Sequence, residues 1–269
     1  MRWIEITEAD NNDIQQFESF INSINPYALD KLRNGIAILR GFNSNEHAIK
    51  VSKNELERNT NSYSSMFLSN MASWNSLPKR NNSMICTSSD IIAQANGDIY
   101  VIIPIGNTTL GVSQDASFNT SFSYMKTKYH INDLNDFNKK FTLFMTYLHN
   151  ILHTHTQINM SSTNEYSRLI SILKNVDKHL DFKRGIYVKT YRELINNGGQ
   201  GYSFLGNTSI LDNITDMFNP VKNNFSLVDF KNYNISFDEN HEVWFSGDSY
   251  MLSYNLYKPF FNKLGLDLG

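Results

Sequence analysis

The chain has 269 residues, 41% of them hydrophobic and 13% aromatic, with a net charge of −2. Such a length makes one large domain or two small ones with a real core, and the near-neutral charge gives no global pull toward nucleic acid or an anionic membrane. A single cysteine, Cys86, excludes an internal disulfide and a zinc framework of cysteines and fits a reducing compartment, while the acidic start MRWIEITEAD and the lack of any apolar run of about 18 residues lead us to expect neither a signal peptide nor a membrane span.

Residues 12–33 read as helix, with Ile14, Phe17, Ile21 and Ile24 at helical spacing and Pro26 interrupting the run. Asn34-Gly35 marks a turn, and Ile36–Gly41 follows as a short buried strand with Arg40 and Gly41 at its end. Residues 54–70 are polar with helical character, and Ser73–Asn82 is rich in turn formers around Pro78-Lys79-Arg80. A strand over Ser83–Ser88, a short helix over Asp90–Ala95 and a turn at Asn96-Gly97 come next. Ile99–Ile105 is a strongly apolar strand, and Leu110–Ser113 is a further candidate.

From about residue 132 the texture is helical. Phe137, Phe141, Phe144, Leu148 and Leu152 share one spacing, as do Leu169, Ile172, Leu173 and Val176. Tyr187–Ile195 and Ile210–Phe218 are further helix candidates, and Asn196–Gly201 is a loop. Strand texture returns at Glu242–Phe245 and Tyr250–Tyr254. The expectation is one α+β domain over 1–269, its first and last parts paired in one sheet, with 114–232 as a mainly helical insertion.

Three segments carry residue types suited to chemistry. Arg40, at a strand end before Gly41, can grip a phosphate with its planar fork while the glycine permits close approach; a strand-end arginine also simply reaches solvent. In Cys86-Thr87-Ser88, alternation puts Cys86 and Ser88 on one face and Thr87 on the other. Hydroxyls there can hold a sugar or order a carboxylate, or can be ordinary strand residues. Glu242 opens the strand Glu242-Val243-Trp244-Phe245, a carboxylate against aromatic surface. His149, His153 and His155 have spacing compatible with a metal pair, but no acid follows His149 as a zincin motif needs, so no metal is expected.

Taken in order, these segments resemble the arginine-serine-glutamate class of mono-ADP-ribosyltransferases, found in tailed phages and bacterial toxins. The quoted strings are Ile38-Leu39-Arg40-Gly41, Cys86-Thr87-Ser88, Ile102-Ile103-Pro104-Ile105-Gly106 and Asn240-His241-Glu242 with the strands around Gly247. The match covers roughly 36–113 and 233–254. The resemblance implies a split β-sheet core that binds NAD as substrate. Arg40 would hold its diphosphate, with Gly41, Thr87, Ser88 and Glu242 completing the NAD site. Ser88 would bond the ribose or orient Glu242, and Glu242 would stabilise the oxocarbenium-like transition state. Asn240 and an aromatic in the preceding loop, Phe237 or Tyr233, would face the acceptor. Two positions depart from the family's pattern: Cys86 replaces a serine, and Asn240 replaces the acceptor-directing acid or glutamine.

The implied acceptor is a macromolecule, a host protein ahead of nucleic acid, with no membrane partner. The asparagine-rich, lysine-over-arginine composition suits an AT-rich genome and a cytoplasmic or virion-packaged enzyme. The alternative is a degenerate, non-catalytic binding or virion-associated protein of the same fold. Residues 114–232 would recognise the target, form an inhibitory lid or complete the core.

Overall fold

A computed structural model describes residues 11–55, 61–152, 158, 164–179 and 209–268. The described chain divides into two compact units: a sheet unit formed by residues 1–58, 76–117 and 225–269, and a helical unit formed by 59–75 and 118–224.

The helical reading of the N-terminus holds, and Pro26 divides it as expected. Helix α1 spans Asn11–Ile24 and α2 spans Ala28–Arg33. The break is a fixed joint. Asn25 is fully buried, its Nδ2 donating to the carbonyls of Pro104 (3.0 Å) and Gly106 (2.8 Å), while its Oδ1 accepts from the Tyr27 amide. The side-chain amide thus ties the interhelical turn to the end of a distant strand and satisfies buried polar groups. Gly35 and Gly97 have φ of 69° and 134°, the left-handed conformations that make Asn34-Gly35 and Asn96-Gly97 turns.

Among the described residues eight strands follow: β1 Leu39–Phe42, β2 Ala48–Val51, β3 Met84–Thr87, β4 Asp98–Pro104, β5 Thr109–Val112, β6 Ser226–Asp229, β7 Glu242–Phe245 and β8 Ser249–Ser253. They form one antiparallel sheet in the order β2-β8-β4-β1-β3-β7-β5-β6. The early and late parts of the chain therefore do pair, through β3 with β7 and β8 with β2 and β4. The resemblance implied a split sheet. The eight strands instead make one sheet whose central join, β1 to β3, consists of the single pair Leu39–Thr87.

Several boundaries differ from the sequence reading. The first strand starts at Leu39 rather than Ile36. β2 and β6 were not expected; each is an outer, four-residue strand without a buried apolar run, so neither carries a strong periodicity. Because β6 belongs to the sheet unit, the helical unit ends at Asn224 rather than continuing to 232, and it also takes in 59–75 from earlier in the chain.

Among the described residues the helices after α2 are α3 Tyr63–Asn70, α4 Asp90–Gln94, α5 Ser123–Tyr129, α6 Leu134–Leu152, α7 Asn164–His179, α8 Ile210–Met217 and α9 Tyr254–Lys263. Helix α3 begins late, where Ser62 caps it by accepting the Ser65 amide (3.2 Å). Helix α9 was not foreseen: Tyr254 reads as strand, and Pro259 falls inside the helix. Its aromatic face packs on α1, with Phe17 4.9 Å from Phe260 and 5.5 Å from Phe261 between ring centroids. The expected helix at 187–195, the loop at 196–201, His153 and His155 lie outside the described residues.

The helical unit is built on aromatic packing. Phe67, Phe137, Phe141 and Phe218 are fully buried, and Phe137 meets Phe218 edge-to-face at 4.7 Å. A polar cluster joins α5 to α8 on its surface. Asp216 accepts from Tyr124 (2.8 Å), Tyr129 (2.6 Å), Lys128 (2.8 Å) and Lys222. Burial by itself would raise the Asp216 pKa, but these hydrogen bonds outweigh it and hold the carboxyl well below its ordinary value. A depressed folded-state value gives stability that is present above the unfolded pKa of about 3.9 and lost as pH falls through the folded value. Asp216→Asn should cost about 1–3 kcal/mol near neutral pH, and urea denaturation should show the gap from wild type narrowing below about pH 4.

Candidate active site

The one-pair join fixes where a cavity can form. Beyond Leu39–Thr87, β1 and β3 no longer pair, and a cavity of about 390 Å³ lies against both strands. That size is within the roughly 300–1,000 Å³ typical of small-molecule sites. β1 contributes Leu39, Arg40 and Gly41, and β3 contributes Ile85, Cys86 and Thr87. Ile92, Ala93 and Asn96, on α4 and just after it, line another part, and Ala116, Ser117 and Glu242 complete the wall.

Arg40 reaches from β1 toward β3, its guanidinium donating to the Ile85 carbonyl (3.3 Å) and lying 6.0 Å from the centre of the Phe42 ring. The hydrogen bond and the ring hold a half-buried cation at the cavity wall. Gly41 is required by the protein's own packing. A Cβ there would sit 2.0 Å from the Ala93 carbonyl oxygen and 2.7 Å from the Asn96 Cβ. The close approach expected at this glycine is thus made by the end of α4, which brings Ala93 and Asn96 to the cavity.

Glu242 opens β7 directly opposite Thr87. Its amide donates to Ser113 Oγ (3.0 Å) and to the Asp115 carbonyl (2.9 Å), and its carbonyl accepts from the Ser113 amide (2.9 Å). On the other side the Ser88 amide donates to the His241 carbonyl (3.0 Å). The backbone is therefore gripped from both neighbours. The side chain is only 10% exposed, and Oε1 accepts from Arg80 Nε at 2.9 Å. Arg80 stands at the start of a 3₁₀ turn, Arg80–Asn82, immediately before β3.

Ser88 has a different place from its neighbours. β3 ends at Thr87, so strand alternation does not extend to Ser88. Its hydroxyl is fully buried, donating to the Glu239 carbonyl and accepting from the His241 amide (3.0 Å). It anchors the loop ahead of Glu242 and is not on the cavity wall. Thr87 is on the wall, with its hydroxyl donating to the His241 carbonyl (3.1 Å) and accepting from the Ser89 amide (3.0 Å).

The loop from Phe230 to His241 is tied at further points. Lys31 Nζ donates to the carbonyls of Lys231 (3.1 Å) and Tyr233, and burial lowers its pKa while the neighbouring Asp30 opposes the shift. The Phe237 amide donates to the Gly35 carbonyl (3.1 Å), and the Phe237 carbonyl accepts from the Asp90 amide (3.4 Å). His241 Nδ1 lies 2.8 Å from the Ser113 carbonyl and so carries the proton it donates. Phe237 is half-buried against the core and beside Gly35, and Asn240 is exposed at the loop end. Tyr233, offered with Phe237 as an acceptor-facing ring, is instead buried in the core at 1% exposure.

The structure thus brings Arg40, Gly41, Thr87 and Glu242 to one cavity, and places Ser88, Phe237 and Asn240 in or against the adjoining loop. Sequence reasoning missed Arg80 and Ser113. The first lay in a turn-rich stretch 162 positions from its partner, and the second at the end of a candidate strand. Among the described residues no group of three or more His, Cys, Asp or Glu side chains could hold a metal ion, and no helix is long and apolar enough to cross a membrane. No family model matches the sequence, no curated protein matches it and no solved structure matches its fold.

Replacing Ser88 by Ala removes the donor to Glu239 and the acceptor for His241. The expected result is a loss of about 1–3 kcal/mol in stability, with faster hydrogen exchange at the His241 amide than at amides in the centre of β4.

Proposed function

We propose that the chain is a mono-ADP-ribosyltransferase that cleaves NAD and passes ADP-ribose to a macromolecular acceptor. The observation that carries the reading is spatial: the three motif strands β1, β3 and β7 are consecutive neighbours in the sheet, and Arg40, Thr87 and Glu242 meet at one cavity. Nothing in the order of the motifs along the chain requires this.

NAD presents a diphosphate and a cationic nicotinamide joined to a ribose. Arg40 pairs with the diphosphate through charge-assisted hydrogen bonds, using guanidinium donors other than the Nη1 that meets the Ile85 carbonyl. The Glu242 carboxylate accepts from the ribose 2′-hydroxyl. As the bond from the anomeric carbon to the nicotinamide nitrogen breaks, the electron pair leaves with nicotinamide and positive charge builds on the ribose. A fixed carboxylate beside that charge stabilises the transition state without needing to reorganise. The acceptor's nucleophile then bonds to the anomeric carbon and its proton is released. Thr87 shapes the wall opposite Glu242, and Ser88 acts through the loop. The acceptor is a host protein ahead of nucleic acid, met in the cytoplasm.

A second reading, NAD binding without transfer, is favoured by the position of Ser88, whose hydroxyl is spent on the loop and does not line the cavity. Nicotinamide release separates the two. The wild type should release nicotinamide from NAD, and Glu242→Gln, which keeps the shape and removes the charge, should lower the rate roughly 10²-fold or more. An equal rate in the variant would remove Glu242 from the chemistry, whereas NAD binding by calorimetry without any release would establish the second reading.

A further inference from the structure

We propose that Arg80 is a positioning residue for Glu242, an inference that rests on the ADP-ribosyltransferase reading and adds a fourth residue to it. A carboxylate side chain that is 90% covered has lost most of its water, so its oxygens must find donors within the protein. Arg80 meets that need with a permanently charged group whose Nε donates to Oε1 at 2.9 Å.

The pair differs from an ordinary surface ion pair in how its cation is held. The Trp244 indole Nε1 donates to the Pro78 carbonyl at 2.8 Å. Trp244 lies two residues after Glu242, and Pro78 lies two residues before Arg80. The strand that carries the carboxylate therefore also holds the segment that carries its arginine. The indole fits because Gly111, its cross-strand partner on β5, has no side chain: a Cβ there would lie 2.2 Å from the ring. The segment is closed on itself by Ser83, whose hydroxyl donates to the Lys79 carbonyl (2.8 Å) and whose amide donates to the Arg80 carbonyl (3.3 Å). Gly111, Trp244 and Pro78 thus set the position of Arg80, and Arg80 sets the carboxylate oxygen. A preorganised oxygen is worth more in the transition state than one that must be oriented during reaction.

The test is a double-mutant cycle on nicotinamide release with wild type, Arg80→Met, Glu242→Gln and the double variant, with kcat and KM for NAD measured separately. Arg80→Met should lower kcat by roughly tenfold or more with KM little changed. It should cost nothing further once Glu242 is glutamine, because there is no longer a carboxylate to hold. Arg80→Lys keeps the charge without the planar fork and should recover part of kcat; it also serves if the methionine variant does not fold, as judged by its thermal midpoint. Wild-type kcat in Arg80→Met overturns the inference, as does a higher KM with kcat intact or an equal loss in the glutamine background. Those outcomes leave the ADP-ribosyltransferase reading standing. No nicotinamide release from the wild type rejects that reading and this inference together.

Discussion

Two strands at the centre of the sheet, β1 and β3, touch through one residue pair, Leu39 with Thr87. Most of the candidate site depends on that short join. A full ladder would close the space between the strands with backbone hydrogen bonds. Here the Arg40 guanidinium reaches the Ile85 carbonyl instead, and the adjacent volume is left to a cavity. On the outer sides the ladders are longer: β1 pairs with β4 over four residues and β3 with β7 over four. These longer ladders flank the opening on both sides.

The same join orders the chemical groups. Thr87 pairs with Leu39 on one side and with Glu242 on the other, so one residue links the arginine strand to the glutamate strand. Around it, Gly41 admits the end of α4, Ser113 grips the Glu242 backbone, and Ser88 fixes the loop that precedes it. The energetic cost of a covered carboxylate is offset by a nearby arginine, whose segment is held by Trp244.

How much of this could be read from residues alone follows from the range of each interaction. β4 is legible because seven residues run almost entirely buried, and β7 because all four of its residues are buried. The turns at Gly35 and Gly97 are legible because a positive φ favours glycine. β2 and β6 are illegible because their order comes from partners about 200 and 120 positions away, not from their own four residues. Helix α9 is masked by an internal proline and by aromatics that suit a strand as well as a helix. At the site, Arg40 and Glu242 stand out in the sequence as charges next to short apolar runs. The alternation argument does not extend to Ser88, because alternation stops when a strand stops, and Arg80 is missed because nothing local marks a turn arginine as the partner of a distant carboxylate.

If the chain is the proposed ADP-ribosyltransferase, the gap beside the Leu39–Thr87 pair takes up a dinucleotide. A crystal structure of the protein with a non-hydrolysable NAD analogue tests it most directly. In that structure the diphosphate should contact the Arg40 guanidinium and the nicotinamide ribose 2′-hydroxyl should lie within hydrogen-bond distance of Glu242. An analogue that fails to bind, or that binds elsewhere on the protein, would contradict the proposal.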